Sequence, residues 1–482
     1  MRIAIAGGGI AGLTASLALA RAGHEITLVE RDAYAPLDGH HAAVDWRRPG
    51  VPQFGHPHVL LARGCNELLD HAPNVYAQLI AAGATEIPVS HPDARPDPEL
   101  RALGVRRPLL EWALRRALAG EPGVHIRHET VRDLAYDADG VGATVRGLVT
   151  DAAHIPGDLV IDALGRTSPL PVRLRRLAVR HGEVAGPAVE PAYTGDAAIE
   201  VAGGVPCGMV YLSRFYRLRG DHPHRPSHLA VPARAEFGYA SAILFWADNQ
   251  HMGLVVIIPA GERRLRILGT EKAFGEIVAS SPVLGDYIGA ARAEPVTGVR
   301  PMGQLRAAWR QPVGDSGRLP ARNVVTIGDA YCHTNPLYGW GVSMAFTQAF
   351  ALADALTDGA DVVAAQAAYA RRTAAEAADR FRASTGLDRG YARIWRGEPV
   401  DFLSPQTEPD AFRVRAFSLA AAAIPQIHQR YARWIGCLDP SAVLDGDEAL
   451  KDTVLAAART VLSRMPPPVL PSRDELLARC TT

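Results

Sequence analysis

Two glycine-bearing turns, far apart in the chain, hold the residue types best suited to chemistry. In Gly7-Gly8-Gly9-Ile10-Ala11-Gly12 the pattern G-x-G-x-x-G falls on Gly7, Gly9 and Gly12, and Glu30 follows about 20 residues on, ahead of Arg31. Gly7 permits a tight turn, Gly9 lets the backbone approach a pyrophosphate, and Gly12 allows a helix to pack closely on its strand. The N–H groups at the start of that helix, around Ile10 and Ala11, are offered to an anion, and Glu30 can accept hydrogen bonds from ribose hydroxyls. The second turn ends the run Asn323-Val-Val-Thr-Ile-Gly328-Asp329-Ala330, and Pro336, Tyr338, Gly339, Trp340 and Gly341 lead into a helix near Val342. Two helix N-termini aimed at one extended ligand suit FAD by size and charge, one serving its pyrophosphate and one its isoalloxazine, with Asp329 on the ribityl hydroxyls. The plainer readings are a glycine-rich turn without a ligand and a strand-to-helix turn with a capping Asp.

The elements that must position these turns are legible from hydrophobic period. Residues 2–6 form a short apolar strand, Leu13 to Ala22 a helix, and Glu25 to Glu30 a second strand; Leu159 to Asp162 and Asn323 to Ile327 extend the same parallel sheet. Three further strands are expected at Gly238 to Ala247, Met252 to Pro259 and Arg264 to Thr270, joined by short polar links that suit antiparallel neighbours. From Asp361 onward apolar residues recur at helical spacing, and PPPVLPSRDELLA reads as a proline-stiffened strap ending in a short helix. The fold class expected is α/β: a Rossmann-type FAD-binding domain with a parallel sheet, in two parts at 1–175 and 296–358, an inserted antiparallel-sheet substrate domain at 176–295, and a C-terminal helical region at 359–482.

Composition narrows the functional classes. With 51 basic and 51 acidic side chains there is no net field to attract nucleic acid, and no segment has eighteen uninterrupted apolar residues, so no membrane span is expected. Five cysteines without C-x-x-C spacing support neither a zinc site nor a dithiol motif and suit a reducing cytoplasm, the expected location. His56-Pro-His58 and His222-Pro-His224 lack further ligands in sequence, so no metal is expected and loop histidines are the default. Arg63 reads equally as a solvated arginine or a cofactor contact. Tyr211, Phe215, Tyr216, Phe245 and Trp246 fall on strands, where core packing and the lining of an apolar cavity are both open.

These residues resemble the flavoprotein monooxygenases of the aromatic hydroxylase fold and their olefin-epoxidising and halogenating relatives. The resemblance covers most of the first 360 residues. It is carried by GGGIAG with Glu30-Arg31, Arg107 heading RPLLEWAL, Val131 in a strand, Asp162-Ala-Leu-Gly165-Arg166-Thr-Ser168, and Gly328-Asp329 with Pro336-Leu-Tyr-Gly339-Trp-Gly341. The segment RRPGVPQFGHPHVLLARG and Asn335-Pro336-Leu-Tyr338-Gly339 are closest in wording to the epoxidase-like branch. The resemblance implies that Arg107 contacts FAD phosphate or ribityl, that Val131 meets the adenine through its backbone, and that the loop of His56 and His58 passes near the flavin. Aromatic hydroxylases carry Asp-Gly where this chain has Asp162-Ala163, a motif tied to NADPH handling. The reductant is therefore NADPH or NADH, used directly or through a separate flavin reductase. The W-x-W-x-I-P signature of tryptophan-type halogenases is absent from the sequence.

The function expected is an FAD-dependent monooxygenase in which a flavin C4a-hydroperoxide passes one oxygen atom from O2 to a fairly apolar natural-product-like substrate, by epoxidation or hydroxylation. The backbone around Leu337 to Gly341 is the candidate surround of the reacting oxygen, and no side chain is singled out as acid or base. Rivals are an FAD dehydrogenase, reductase or halogenase on the same fold, separable by labelled oxygen and halide dependence, and a non-catalytic flavin-binding protein that no reductant would turn over.

Overall fold

A computed structural model describes the chain except for residues 35–36, 41–45, 140–141, 181–203, 221–230, 311–318, 320, 358–360, 465–469 and 482. The chain opens with β1 (Arg2–Ala6), α1 (Ile10–Arg21) and β2 (Glu25–Val29), then passes through α2 (Ala62–His71) and α3 (Arg107–Leu118) to β3 (Val124–Arg127), β4 (Val131–Asp139) and β5 (Leu159–Asp162). Next come β6 (Met209–Leu218), β7 (Ala233–Glu236), β8 (Ser241–Trp246) and β9 (His251–Pro259). After the return strand β10 (Val324–Thr326) the chain is helical, with α4 (Trp340–Ala355), α5 (Val362–Trp395) and α6 (Pro425–Ile435) among its helices.

The first sheet is parallel in the order β10-β5-β1-β2-β3, so strands from distant parts of the chain share one sheet, as expected. Period-2 alternation in β1 separates two layers. Ile3 and Ile5 pack with Leu13, Leu17 and Phe346 on the α1 and α4 side, while Ala4 and Ala6 meet Val145 and Leu148 on the other. Small residues are what bring α1 so near its strand: a Cβ on Gly12 would lie 1.8 Å from the Gly7 carbonyl oxygen.

The second sheet is antiparallel in the order β7-β8-β9-β6, with Ala293–Pro295 and Arg300–Met302 added beside β6. The hairpin β8–β9 agrees with the expected strands. The third, at Arg264 to Thr270, does not form: Arg263–Gly269 is a 3₁₀ turn in which the Glu262 side chain accepts from the Arg264 amide. Leu265 and Leu268 are both fully buried there, and their three-residue spacing places them on one side of a three-residue helix, whereas it is the alternation of Leu265 and Ile267 with Arg264 and Arg266 that reads as a strand in sequence.

One apolar core joins this sheet to the C-terminal helices, holding Tyr211, Leu244 and Val256 together with Phe381, Phe417 and Trp434. The short terminal helix Arg473–Thr481 forms as expected. All five cysteines are buried and unpaired. Among the described residues no helix is long and apolar enough to cross a membrane, and no group of three or more metal-binding side chains forms.

Candidate active site

A cavity of about 850 Å³ runs from the first glycine turn, past the second, to the inner face of the antiparallel sheet. Both helix N-termini open on it, and neither α1 nor α4 has a side chain capping its first turn. An uncapped N-terminus leaves N–H groups unsatisfied and a partial positive charge in place, so two such ends facing one space call for a ligand carrying negative or acceptor groups along its length. The glycines provide the clearance. Gly7 has φ +98° and would drive a Cβ into the Ala163 carbonyl at 2.5 Å, whereas a Cβ on Gly9 would meet nothing closer than Arg107 Nη2 at 3.7 Å. Gly339, at φ +71°, turns the chain into α4 beside Leu61.

Gly7, Gly9, Ile10, Ala11, Glu30, Arg31, Arg107, Val131, Asp329, Pro336, Gly339, Gly341 and Val342 all line the cavity. Gly12 does not; it packs α1 on the first turn. Arg63 faces a separate polar cleft with Asn66, Glu67 and Asp70, away from this cavity. The pair His222 and His224 lies outside the described residues.

Charge is balanced under the first turn by residues that sequence reasoning missed. The guanidinium of Arg48 is buried against Glu30 at 2.5 Å and Glu111 at 2.6 Å, and donates to the Gly8 carbonyl at 2.9 Å. Burial alone would lower its pKa; the Glu111 and Glu30 carboxylates outweigh that and raise it. Glu30 also accepts from the amides of Gly8 and Asp32, and Arg107 pairs with Glu111 at 2.7 Å. Arg48 sits in a segment quoted for its resemblance, but nothing in the sequence distinguishes it from the exposed Arg47 beside it.

The second turn is tied down equally well. Arg310 donates to the carbonyls of Asp329, Ala330 and Arg166, joining the Gly328 turn to the loop after β5, and Gln348 of α4 accepts from the Gly328 amide at 2.7 Å. In that loop Asp162 is fully buried, and burial pushes its carboxyl up to about 6 despite hydrogen bonds from Ser168 and the Leu164 amide. Asn335 is held from three sides: its amide donates to Ser384 Oγ at 2.9 Å, its side chain donates to Asp388 at 2.7 Å, and Tyr211 OH donates back to it. Tyr338 OH also donates to Asp388, at 2.7 Å. Burial pushes the Asp388 carboxyl up to about 7 against the hydrogen bonds it accepts from Tyr338 and Asn335.

Beyond the turns the cavity is mostly apolar. Tyr211, Ser213, Ile243, Phe245, Val255 and Ile257 form its floor, alternate residues of β6, β8 and β9, while Trp246 and Tyr216 pack in the core. Its roof is Leu387 and Tyr391 of α5, Val414, Ser418 and Ala421, and His428, Tyr431 and Ile435 of α6. His56 Nδ1 meets Ser213 Oγ at 2.8 Å, and His58 Nδ1 meets the His56 carbonyl at 2.7 Å. A carbonyl oxygen only accepts, so His58 carries its proton on Nδ1 and a lone pair on Nε2. Both imidazoles are neutral: burial, with Arg300 near one and Arg107 near the other, lowers His56 to about 4 and His58 to about 3.

Known proteins share this frame. The family model for an NAD(P)-binding Rossmann-like domain matches residues 5–54. Protein Rv3254 of Mycobacterium tuberculosis is 27% identical over 391 residues, which is 73% of this chain and 72% of that protein. Among solved structures, PqsL of Pseudomonas aeruginosa, described as a probable FAD-dependent monooxygenase, superimposes with a TM-score of 0.55 at 17% identity, over 82% of this chain and 98% of that one. The flavin-dependent brominase Bmp2 gives a TM-score of 0.60 at 17% identity, over 95% of this chain and all (100%) of that one. These likenesses show the fold: a parallel nucleotide-binding sheet, antiparallel sheets and a helical C-terminal region.

Proposed function

We propose that this chain is an FAD-dependent monooxygenase that inserts one oxygen atom from O2 into a fairly apolar small molecule, a natural-product-like substrate that it hydroxylates or epoxidises. The observation that carries this reading is the continuity of one cavity across two uncapped helix N-termini and an apolar, roofed chamber. The two ends suit a cofactor with an anionic middle and a redox head, and the chamber suits a substrate laid against that head. Bound FAD would supply electrons and the activation of oxygen. The fold shared with the proteins above agrees with this assignment.

In this reading the first turn, with Gly7, Gly9, Ile10 and Ala11, holds the pyrophosphate, Glu30 and Arg31 the adenosine ribose, Val131 the adenine and Arg107 the phosphates or ribityl. Asp329 holds ribityl hydroxyls, and Pro336, Gly339, Gly341 and Val342 bring backbone against the ring. The start of α4 stabilises negative charge at the redox end, and the Asn335 to Tyr338 turn, fixed by Asp388 and Ser384, keeps that backbone in place. Floor and roof exclude water and orient the substrate. Electrons come from NADPH or NADH, directly or through a flavin reductase. The division into cofactor parts at 1–175 and 296–358, a substrate part at 176–295 and a helical part at 359–482 belongs to the same proposal, with the roof adding the helical part to the substrate site.

The test is purification with FAD, anaerobic reduction, and exposure to labelled O2 with a panel of aromatic and olefinic compounds. Stoichiometric flavin and one labelled oxygen atom in the product are expected. A protein that takes up no FAD ends the proposal; bound flavin with halide-dependent product makes it a halogenase, and bound flavin that oxidises substrates without oxygen insertion makes it a dehydrogenase.

A further inference from the structure

Reading the cavity as a substrate chamber leaves its far end unexplained, where polar groups converge inside an otherwise apolar enclosure. Arg234 of β7 keeps 33% of its side-chain surface open, and it lines the cavity. Its Nε donates to Glu236 and its Nη2 to Tyr391 OH, leaving Nη1 without a hydrogen bond among the described residues. Tyr391 accepts that bond, so its own proton is free to donate. Tyr431, 6% exposed and also on the cavity wall, makes no hydrogen bond through its hydroxyl among the described residues. The hydroxyl is not a buried unpartnered atom: it is open to the cavity, where an entering acceptor can meet it.

We infer that Arg234 Nη1, Tyr391 OH and Tyr431 OH form an anchor for one carbonyl or phenolate oxygen at the end of a fused-ring substrate. The donors decide the class. Glu236 already offsets the charge of Arg234, so the anchor offers hydrogen bonds with little net positive charge, which suits a carbonyl or delocalised phenolate oxygen better than a carboxylate. What remains to donate is Nη1, the second N–H of Nη2 and two hydroxyls.

The sheet sets the length. Ser213 pairs with Val255, Val255 with Ile243 and Ile243 with Arg234, a single cross-strand row on one face. Three strand spacings separate Ser213, which holds His56, from Arg234, about 14 Å in all. Tyr211, one same-face position from Ser213, touches Asn335 of the cofactor turn. An oxygen on the anchor therefore places the other end of a tricyclic or tetracyclic skeleton beside the turn assigned to the flavin, and the inference deepens the function proposed above.

The probes are 2-hydroxyanthraquinone, 2-acetylanthracene and anthracene, titrated into FAD-loaded protein by fluorescence quenching. The oxygenated probes should bind more tightly than anthracene. Tyr431→Phe, which loses no hydrogen bond among the described residues, should keep its melting temperature and flavin content while weakening the oxygenated probes roughly fivefold; Arg234→Met with Glu236→Gln should weaken them more than tenfold, and anthracene should be unmoved by either. A phenolate absorption band on binding assigns the anchor to a phenolate, and its absence with 2-acetylanthracene binding equally assigns it to a carbonyl; both support the inference. No saturable binding by the oxygenated probes, or losses shared by anthracene, overturns it. Wild-type protein without FAD sinks the cofactor reading instead, and the same titration of that protein still decides the anchor.

Discussion

Replacing Arg48 with Met tests whether the first turn rests on a buried charge cluster. The Arg48 side chain is 1% exposed, and the carboxylates it bridges, Glu30 and Glu111, are 8% and 0% exposed. Removing one partner of a buried ion pair costs about 3–5 kcal/mol, because the remaining charge stays desolvated. Here Glu111 keeps Arg107 and Glu30 keeps two backbone amides, so the lower end, about 3 kcal/mol, is expected. Urea unfolding of wild type and Arg48→Met, followed by circular dichroism at pH 8, measures it. A difference below about 1 kcal/mol refutes the reasoning. Arg48→Met with Glu111→Gln should recover part of the loss.

Two titrations are expected. His56 and His58 are held neutral, so the stability they contribute is full above their unfolded pKa of 6.5 and is lost as pH falls through 6.5 toward 4 and 3; His56→Gln should remove about 3 kcal/mol of acid sensitivity, read as a flatter plot of unfolding free energy against pH. Asp388 has the opposite sign: pushed up from 3.8 to about 7, it favours the fold most below 3.8 and loses that contribution as pH rises through 7. Asp388→Asn should abolish a slope worth up to about 4 kcal/mol over that window, and an unchanged slope would show that the Asn335 turn does not depend on a protonated carboxyl.

What the sequence made legible was local. The β1–α1–β2 crossover shows in four successive apolar residues, a glycine turn and Glu30, and the return strand β10 shows because Gly328-Asp329 closes a short apolar run. The 3₁₀ turn at Arg263–Gly269 reads as a strand in sequence because Leu265 and Ile267 alternate with Arg264 and Arg266, whereas the pair the structure buries fully, Leu265 and Leu268, lies three apart. Arg48, Arg310, Gln348 and Asp388 were out of reach for a different reason. Their partners lie on other elements, and a buried arginine or carboxyl carries no local mark of the charge it will meet. The roof was missed likewise: helical spacing revealed α5 and α6, but not what their inner faces cover.

That roof and the antiparallel sheet share one continuous core, which divides labour unevenly along the chain. On the function proposed, the grip on a nucleotide would reside in the opening crossover and its late return strand, while the roof half of the contour that a guest must match would be drawn by the final quarter of the polypeptide. Exchanges at Val414, Ser418 or Ala421 would recut that contour and leave the cradle untouched, so the portion with the least recognisable sequence is where selectivity can drift at the smallest expense to the rest.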